Sequence, residues 1–223
     1  MQKTKFLNTI VQDGLVLNLD AANPSSYSGA GAVWYDVSGS GYNATLINSP
    51  TYINDSIKYF SLSSSQNFTV SNPLNQTATG QLWTVTAWIN IDTVSGAGAR
   101  YLISGLNLGI SVEWFDVGPL LYLNDMANDY YSYGSNIEGS GWMMLTFMFR
   151  NSDAYRKIYN NLADITTAGG PNNTSTPSGQ SATFTIANNM RGKLASIMIY
   201  NRILSTSEIT QNYNATKGRF GIL

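Results

Sequence analysis

The chain has 223 residues, a net charge of −1, 11% charged residues, no cysteine and no histidine. The charge balance gives no field that would recruit nucleic acid or an anionic membrane, and the absent thiols exclude a disulfide framework and thiolate metal sites. Without histidine there is no Ser–His triad and no imidazole zinc ligand, which removes the commonest hydrolase chemistries.

Residues 1–10 carry Lys3 and Lys5 beside Phe6, Leu7 and Ile10, and are read as an N-terminal arm ahead of a domain spanning 11–223. No apolar h-region lies in the first twelve residues, so no signal peptide is expected. The first strand signal is Leu15, Leu17 and Leu19 alternating with Val16 and Asn18. Turn residues follow at Asn23-Pro24-Ser25-Ser26 and at Ser38-Gly39-Ser40-Gly41. Asp36 is expected to close a local turn of the Asx type rather than to bind a metal.

Short apolar runs near 43–48, 58–62 and 66–70 precede a central strand, Leu82 to Ile91. There Val85, Ala87, Ile89 and Ile91 alternate with Thr84, Thr86, Trp88 and Asn90. Both classes contain bulky residues, which predicts cover on both faces. Further strands are expected near 100–104, 107–115, 119–124, 129–133, 142–150, 155–160, 181–187 and 191–201. Many short strands at close spacing indicate an all-β sandwich or barrel. The Thr167–Gly179 stretch reads as a surface loop. Ser205-Thr206-Ser207-Glu208 is a capping box opening a short C-terminal helix, with Ile209 and Tyr213 on one side and Gly218 as its stop.

Four separated segments resemble laminin-G-like, concanavalin A-like lectin/glucanase jelly-roll domains, and they occur in that family's order. They are Gly14–Pro24, Trp34–Leu46, Trp83–Trp88, and Ile199–Ser205 with its continuation to Gly221. The resemblance implies a two-sheet antiparallel jelly-roll sandwich with one short C-terminal helix. Such domains occur in tailed-phage virion proteins, which implies localisation in a virion. The implied role is a non-enzymatic structural protein, either a capsid decoration or cement or a fibre subunit. Its partners would be other virion proteins in a homo-oligomer, with no nucleic acid and no membrane. The alternative is a carbohydrate-binding adhesin recognising host-surface glycans, with calcium assistance.

Relatives in the wider superfamily include glucanases with clustered carboxylates, but this chain has only Glu113, Glu138 and Glu208. Glu113 and Asp116 are odd-spaced, so a regular strand separates them onto opposite faces. No catalytic residue is assigned. Trp114, Tyr122, Tyr130, Tyr131 and Tyr133 are the candidate glycan contacts, with Tyr131 and Tyr133 on one face and Tyr130 on the other. Asn124, Asp125, Asn128 and Asp129 are the candidate calcium ligands, a set of hard oxygen donors that also suits a polar turn. No other cofactor is expected. Near 155–165, where relatives often carry an Asn-Gly hairpin turn, this chain has Asn160-Asn161-Leu162-Ala163.

Overall fold

The computed structural model describes residues 9–74, 82–93, 98–106, 108–115, 118–125, 128–133, 137–150, 152–153, 155–166 and 180–223; within 105–133 it describes backbone and register. The strands are β1 (Leu15–Asp20), β2 (Val33–Trp34), β3 (Ala44–Ile47), β4 (Thr51–Asn54), β5 (Lys58–Leu62) and β6 (Asn67–Ser71). They continue as β7 (Leu82–Ile91), β8 (Gly98–Leu106), β9 (Leu108–Phe115), β10 (Gly118–Asp125) and β11 (Asn128–Tyr133). The last are β12 (Met143–Arg150), β13 (Tyr155–Asn160), β14 (Ala163–Asp164), β15 (Gln180–Asn188) and β16 (Gly192–Tyr200), followed by helix α1 (Thr206–Thr216).

Two antiparallel sheets result. The first runs β14-β13-β12-β7-β16-β5-β4, and β1 also pairs with β16. The second runs β11-β10-β9-β8-β15-β6-β3-β2. β16 serves two partners on one edge: Gly192–Leu194 pair with β5, and Ser196–Tyr200 with β1. A register shift at Ala195 separates the two contacts. The architecture is the concanavalin A-like sandwich that the sequence predicts.

Alternation explains where the interior lies. Val85, Ala87, Ile89 and Ile91 of β7 join Phe60, Phe147 and Ile197 in the space between the sheets. The second sheet contributes Trp34, Phe68, Val70, Phe184 and Ile186 to the same core. Each Val, Ile and Phe side chain among them contributes about 1.5–3 kcal/mol by leaving water. Trp34 packs at 4.8 Å from Phe60 and 5.0 Å from Phe68, closing one end of the sandwich.

The other class on β7 also has cover, as its bulk predicts. Trp88, Met144, Met148, Met198 and Tyr200 form a second buried cluster on the outer side of the first sheet, with Val11, Ile209 and Phe220. α1 docks here, which is how an eleven-residue helix persists. Its capping box is formed: Ser205 Oγ accepts from the Glu208 amide at 3.3 Å, and Glu208 Oε2 accepts from the Ser205 amide at 2.8 Å. The expected stop at Gly218 is corrected. The chain passes through Gly218 in a 3-10 turn, Lys217–Phe220, and the left-handed cap falls on Gly221 at φ 72°. Continuing one more turn is what brings Phe220 onto Trp88, with ring centroids 4.1 Å apart.

The Asn-rich hairpin keeps its tight turn. β13 pairs with β14 through Asn160↔Ala163, and Asn161 adopts φ 56°, a conformation Asn tolerates. The Thr167–Gly179 loop and residues 1–8 of the arm lie outside the described residues. Thr9 and Val11 are held against α1: Gln211 Nε2 donates to Thr9 O at 2.9 Å, and the Val11 amide donates to Asn212 Oδ1 at 2.8 Å.

Candidate functional site

The two outer faces of the sandwich differ in kind. That of the first sheet lies under α1, Ile10, Val11, Phe220 and Ile222. On β3, β6 and β15 that of the second sheet presents short neutral polar residues, which alternate with the core positions from Ala44 to Thr45, Phe68 to Val70 and Phe184 to Ile186. Ala44, Phe68, Val70, Phe184 and Ile186 are buried, and Thr45, Thr69 and Thr185 between them are not. Register aligns these threonines. Thr45 pairs with Thr69, Thr69 with Thr185, and Thr185 with Ser104, giving one row across four strands. Rows of this kind space their members by about 4.8 Å.

A second row lies beside it. Asn188 pairs with Tyr101, Tyr101 with Ser111, Ser111 with Tyr122, and Tyr122 with Tyr131. The rows are joined by Asn188 Nδ2, which donates to Ser104 Oγ at 3.2 Å. An irregularity makes this possible. Leu102 and Ile103 are both buried, as are Ile186 and Ala187, and Ala187 takes φ 60°. Two consecutive inward residues on each strand return Tyr101 and Asn188 to the outer class, where strict alternation from Ser104 and Thr185 would bury them.

The backbone register places the predicted glycan contacts as follows. Tyr122 and Tyr131 are partners in the second row, and Tyr133 pairs with Leu120 two positions along. Trp114 pairs with Pro119 and Tyr130 with Leu123, which belong to the opposite alternation class. That class contains Ile110, the partner of buried Ile103. The predicted calcium ligands pair as Asn124↔Asp129 and Asp125↔Asn128 at the ends of β10 and β11, one pair in each class. Glu113 pairs with Leu120 and Ala99; Asp116 lies outside the described residues. Among the described residues no group of three or more acidic side chains is arranged to hold a metal ion.

Asp20, Asp36 and Glu208 have structural partners. Asp36 accepts from the amides of Asn18 and Ser38 at Oδ1 (2.9 and 2.8 Å). At Oδ2 it accepts from Ser38 Oγ (2.8 Å) and the amides of Gly41 and Tyr42 (3.0 and 3.1 Å). The turn predicted around Asp36 is therefore a hub tying the 36–42 loop to β1. Asp20 holds Arg219 through two bonds of 2.9 and 2.7 Å. Arg202 holds Glu208, whose carboxyl falls to about 2 chiefly through that contact.

The residues that sequence reasoning missed are Thr45, Thr69, Thr185, Ser104, Asn188 and Tyr101. Alternating Thr-x-Thr at 183–185 was a legible signal; the cross-strand alignment and the irregularity at 186–187 were not.

A family model described as the concanavalin A-like lectin/glucanases superfamily matches residues 62–210. The chain belongs to this superfamily. Solved structures resemble this lectin/glucanase-type domain at low identity. Domain 4 of AbnA, an extracellular arabinanase from Geobacillus stearothermophilus solved with arabinotriose, aligns with TM-score 0.64 and 16% identity over 89% of this chain and 98% of that one. The binding domain of botulinum neurotoxin serotype C1 aligns with TM-score 0.66 and 18% identity, over 92% of this chain and 52% of that one. Trypanosoma rangeli sialidase aligns with TM-score 0.64 and 18% identity, over 92% of this chain. The domain spans 33% of the sialidase's length. A search of curated protein sequences found no match.

Proposed function

We propose that this domain is a non-catalytic carbohydrate-binding module that reads a neutral glycan on the outer face of the second sheet. The observation that carries the reading is the polar surface of that face. It has two registered rows of hydroxyl, amide and phenol positions, without a charged residue among Thr45, Thr69, Thr185, Ser104, Asn188 and Tyr101. Sugar hydroxyls recognise paired donors and acceptors of this kind, and an aromatic ring supplies an apolar platform with a polar tip. The arabinotriose-bound domain, 98% covered by this chain, supports the reading by its size and its ligand. The engagement of Asp20, Asp36 and Glu208 in holding the fold favours binding over hydrolysis.

A glycan array probed with and without chelator tests this. Binding that survives the chelator and disappears with Tyr101→Ala supports it. Binding lost on chelation supports calcium assistance, with Asn124, Asp125, Asn128 and Asp129 as the candidate ligands. No binding under either condition removes the module reading.

A second reading is a structural subunit of a virion, in a homo-oligomer with other virion proteins. It is favoured by the 11% charge content, which suits neutral contacts in a crowded assembly. Co-sedimentation with particles supports it; a monomer that never sediments with them removes it.

A further inference from the structure

The outer side of the first sheet carries a connected chain of five aromatic rings. Tyr59 meets Trp142 at 5.4 Å, Trp142 meets Phe220 at 5.0 Å, Phe220 meets Trp88 at 4.1 Å, and Trp88 meets Tyr213 at 5.8 Å. The middle is buried, with Trp88 at 0% and Phe220 at 8% exposure. Tyr59 and Trp142, at one end, are half-buried and meet at 66°, edge to face. They form a corner with an indole on one side and a phenol on the other.

The corner is rigid and has a cation. Phe220 backs the indole, and Trp88 behind it donates from Nε1 to Thr216 Oγ1 at 2.8 Å. Lys193 of β16 holds its ammonium 5.7 Å from the Tyr59 ring centroid. Among the described residues no carboxylate lies within ion-pair distance of that ammonium. Packing alone explains the buried middle of the chain. It requires neither a part-exposed indole at its end nor, beside it, an ammonium with no carboxylate partner among the described residues.

We infer that Tyr59, Trp142 and Lys193 form a binding subsite for a carboxylate-bearing pyranose of the uronate class. The sugar's C–H face lies against the preformed aromatic corner, and its carboxylate takes a charge-assisted hydrogen bond from Lys193 Nζ. A neutral sugar gains only the first contact. This subsite goes beyond the neutral-glycan face: it lies on the other side of the sandwich and requires a charged ligand.

The test is calorimetric titration of the full chain with trigalacturonate and with neutral galactotriose. The wild type should prefer the uronate by about tenfold, the worth of one charge-assisted contact at a part-exposed site. The preference should shrink as salt rises. Lys193→Gln should abolish the preference, and Trp142→Ala should abolish uronate binding. Lys193 is half-buried and outside the core, so Lys193→Gln reads binding even where Trp142→Ala weakens the fold. Equal affinity for both sugars, or a preference unchanged in Lys193→Gln, overturns the inference. Thr69→Glu, on the opposite face, should leave uronate binding unchanged, so failure of the neutral-glycan face and failure of this subsite register separately.

Discussion

Arg202 grips Glu208 through two parallel hydrogen bonds, Nη2 to Oε1 at 2.6 Å and Nη1 to Oε2 at 3.0 Å. Asp13 adds a third contact, its Oδ2 lying 2.9 Å from Arg202 Nε. This clamp ties the end of β16 to the start of α1, so the charge state of one carboxyl governs how the helix is anchored. The guanidinium lowers the Glu208 carboxyl from 4.5 to about 2, with the Ser205 amide and hydroxyl assisting and burial opposing. A lowered folded-state value means the stabilisation is complete above pH 4.5 and is lost as pH falls towards 2. Its size is about 1–2 kcal/mol after solvent screening. Glu208→Gln should lower the melting temperature at pH 7 and flatten its decline between pH 4.5 and 2, followed by circular dichroism.

Tyr200 should control the alkaline limit. Its hydroxyl donates to Val11 O at 3.1 Å and accepts from Asn212 Nδ2 at 3.1 Å, inside the outer cluster. Burial raises the phenol from 10.0 to about 12, more than the amide contact of Asn212 lowers it. A raised value means full stability below pH 10 and loss between pH 10 and 12 as the phenolate is forced into the cluster. Tyr200→Phe should cost about 1–2 kcal/mol at pH 7, since it strands a buried carbonyl and amide. It should also remove the extra alkaline loss, and hydrogen exchange should show residues 9–13 opening more readily.

Gly192 should tolerate no side chain. It opens β16 at φ 142°, and a Cβ there would sit 2.4 Å from the Asn90 carbonyl oxygen and 3.0 Å from Ile91 Cα. Both obstacles are backbone of the central strand, so neither can swing aside. Gly192→Ala should cost more than about 3 kcal/mol and separate β16 from β7. A melting temperature within a few degrees of wild type would show that the strands can shift.

Most of this fold is legible in the sequence, because strand alternation and turn chemistry are local. Leu82–Ile91 and Tyr155–Asn160 match their predicted bounds, and the Ser205–Glu208 capping box starts a helix as expected. β2, β4 and β14 escape notice because strands of two to four residues show no period. The candidate site is less legible. Tyr131 and Tyr133 can be assigned to a common face, and Tyr130 to the other, from spacing alone, but their relation to Tyr122 and Trp114 depends on register, which is set by turns and irregularities far along the chain. Phe220 reaches Trp142 and Trp88 because the chain continues through Gly218 in the 3-10 turn Lys217–Phe220.

Asp36 offers a sharper test of a hub than removal alone. All five of its bonds are accepted from donors, so both oxygens must be acceptors. Asp36→Asn keeps the shape but turns one end into an amide donor. If it occupies the Oδ2 position, that donor faces the Gly41 and Tyr42 amides. Asp36→Asn should therefore destabilise nearly as much as Asp36→Ala, about 2–4 kcal/mol each by chemical denaturation. A near-neutral Asp36→Asn would mean that the loop rearranges to spare the amide.

The outer face of the second sheet is separable from stability, which makes it open to a clean substitution. Thr69 sits mid-row between Thr45 and Thr185, half-buried, with Phe68 and Val70 of the same strand carrying the core contacts. Replacing it with glutamate removes no interior atom and breaks no backbone ladder, so the change in folding free energy should stay within about 1 kcal/mol. It does place a long anionic side chain across the neutral row, where a glycan's hydroxyls would have to displace it or lose their partners. Binding of any array-positive neutral glycan should fall at least about tenfold, the cost of one unpaired buried polar contact. An unchanged affinity in a folded Thr69→Glu variant would move the neutral-glycan site off this face.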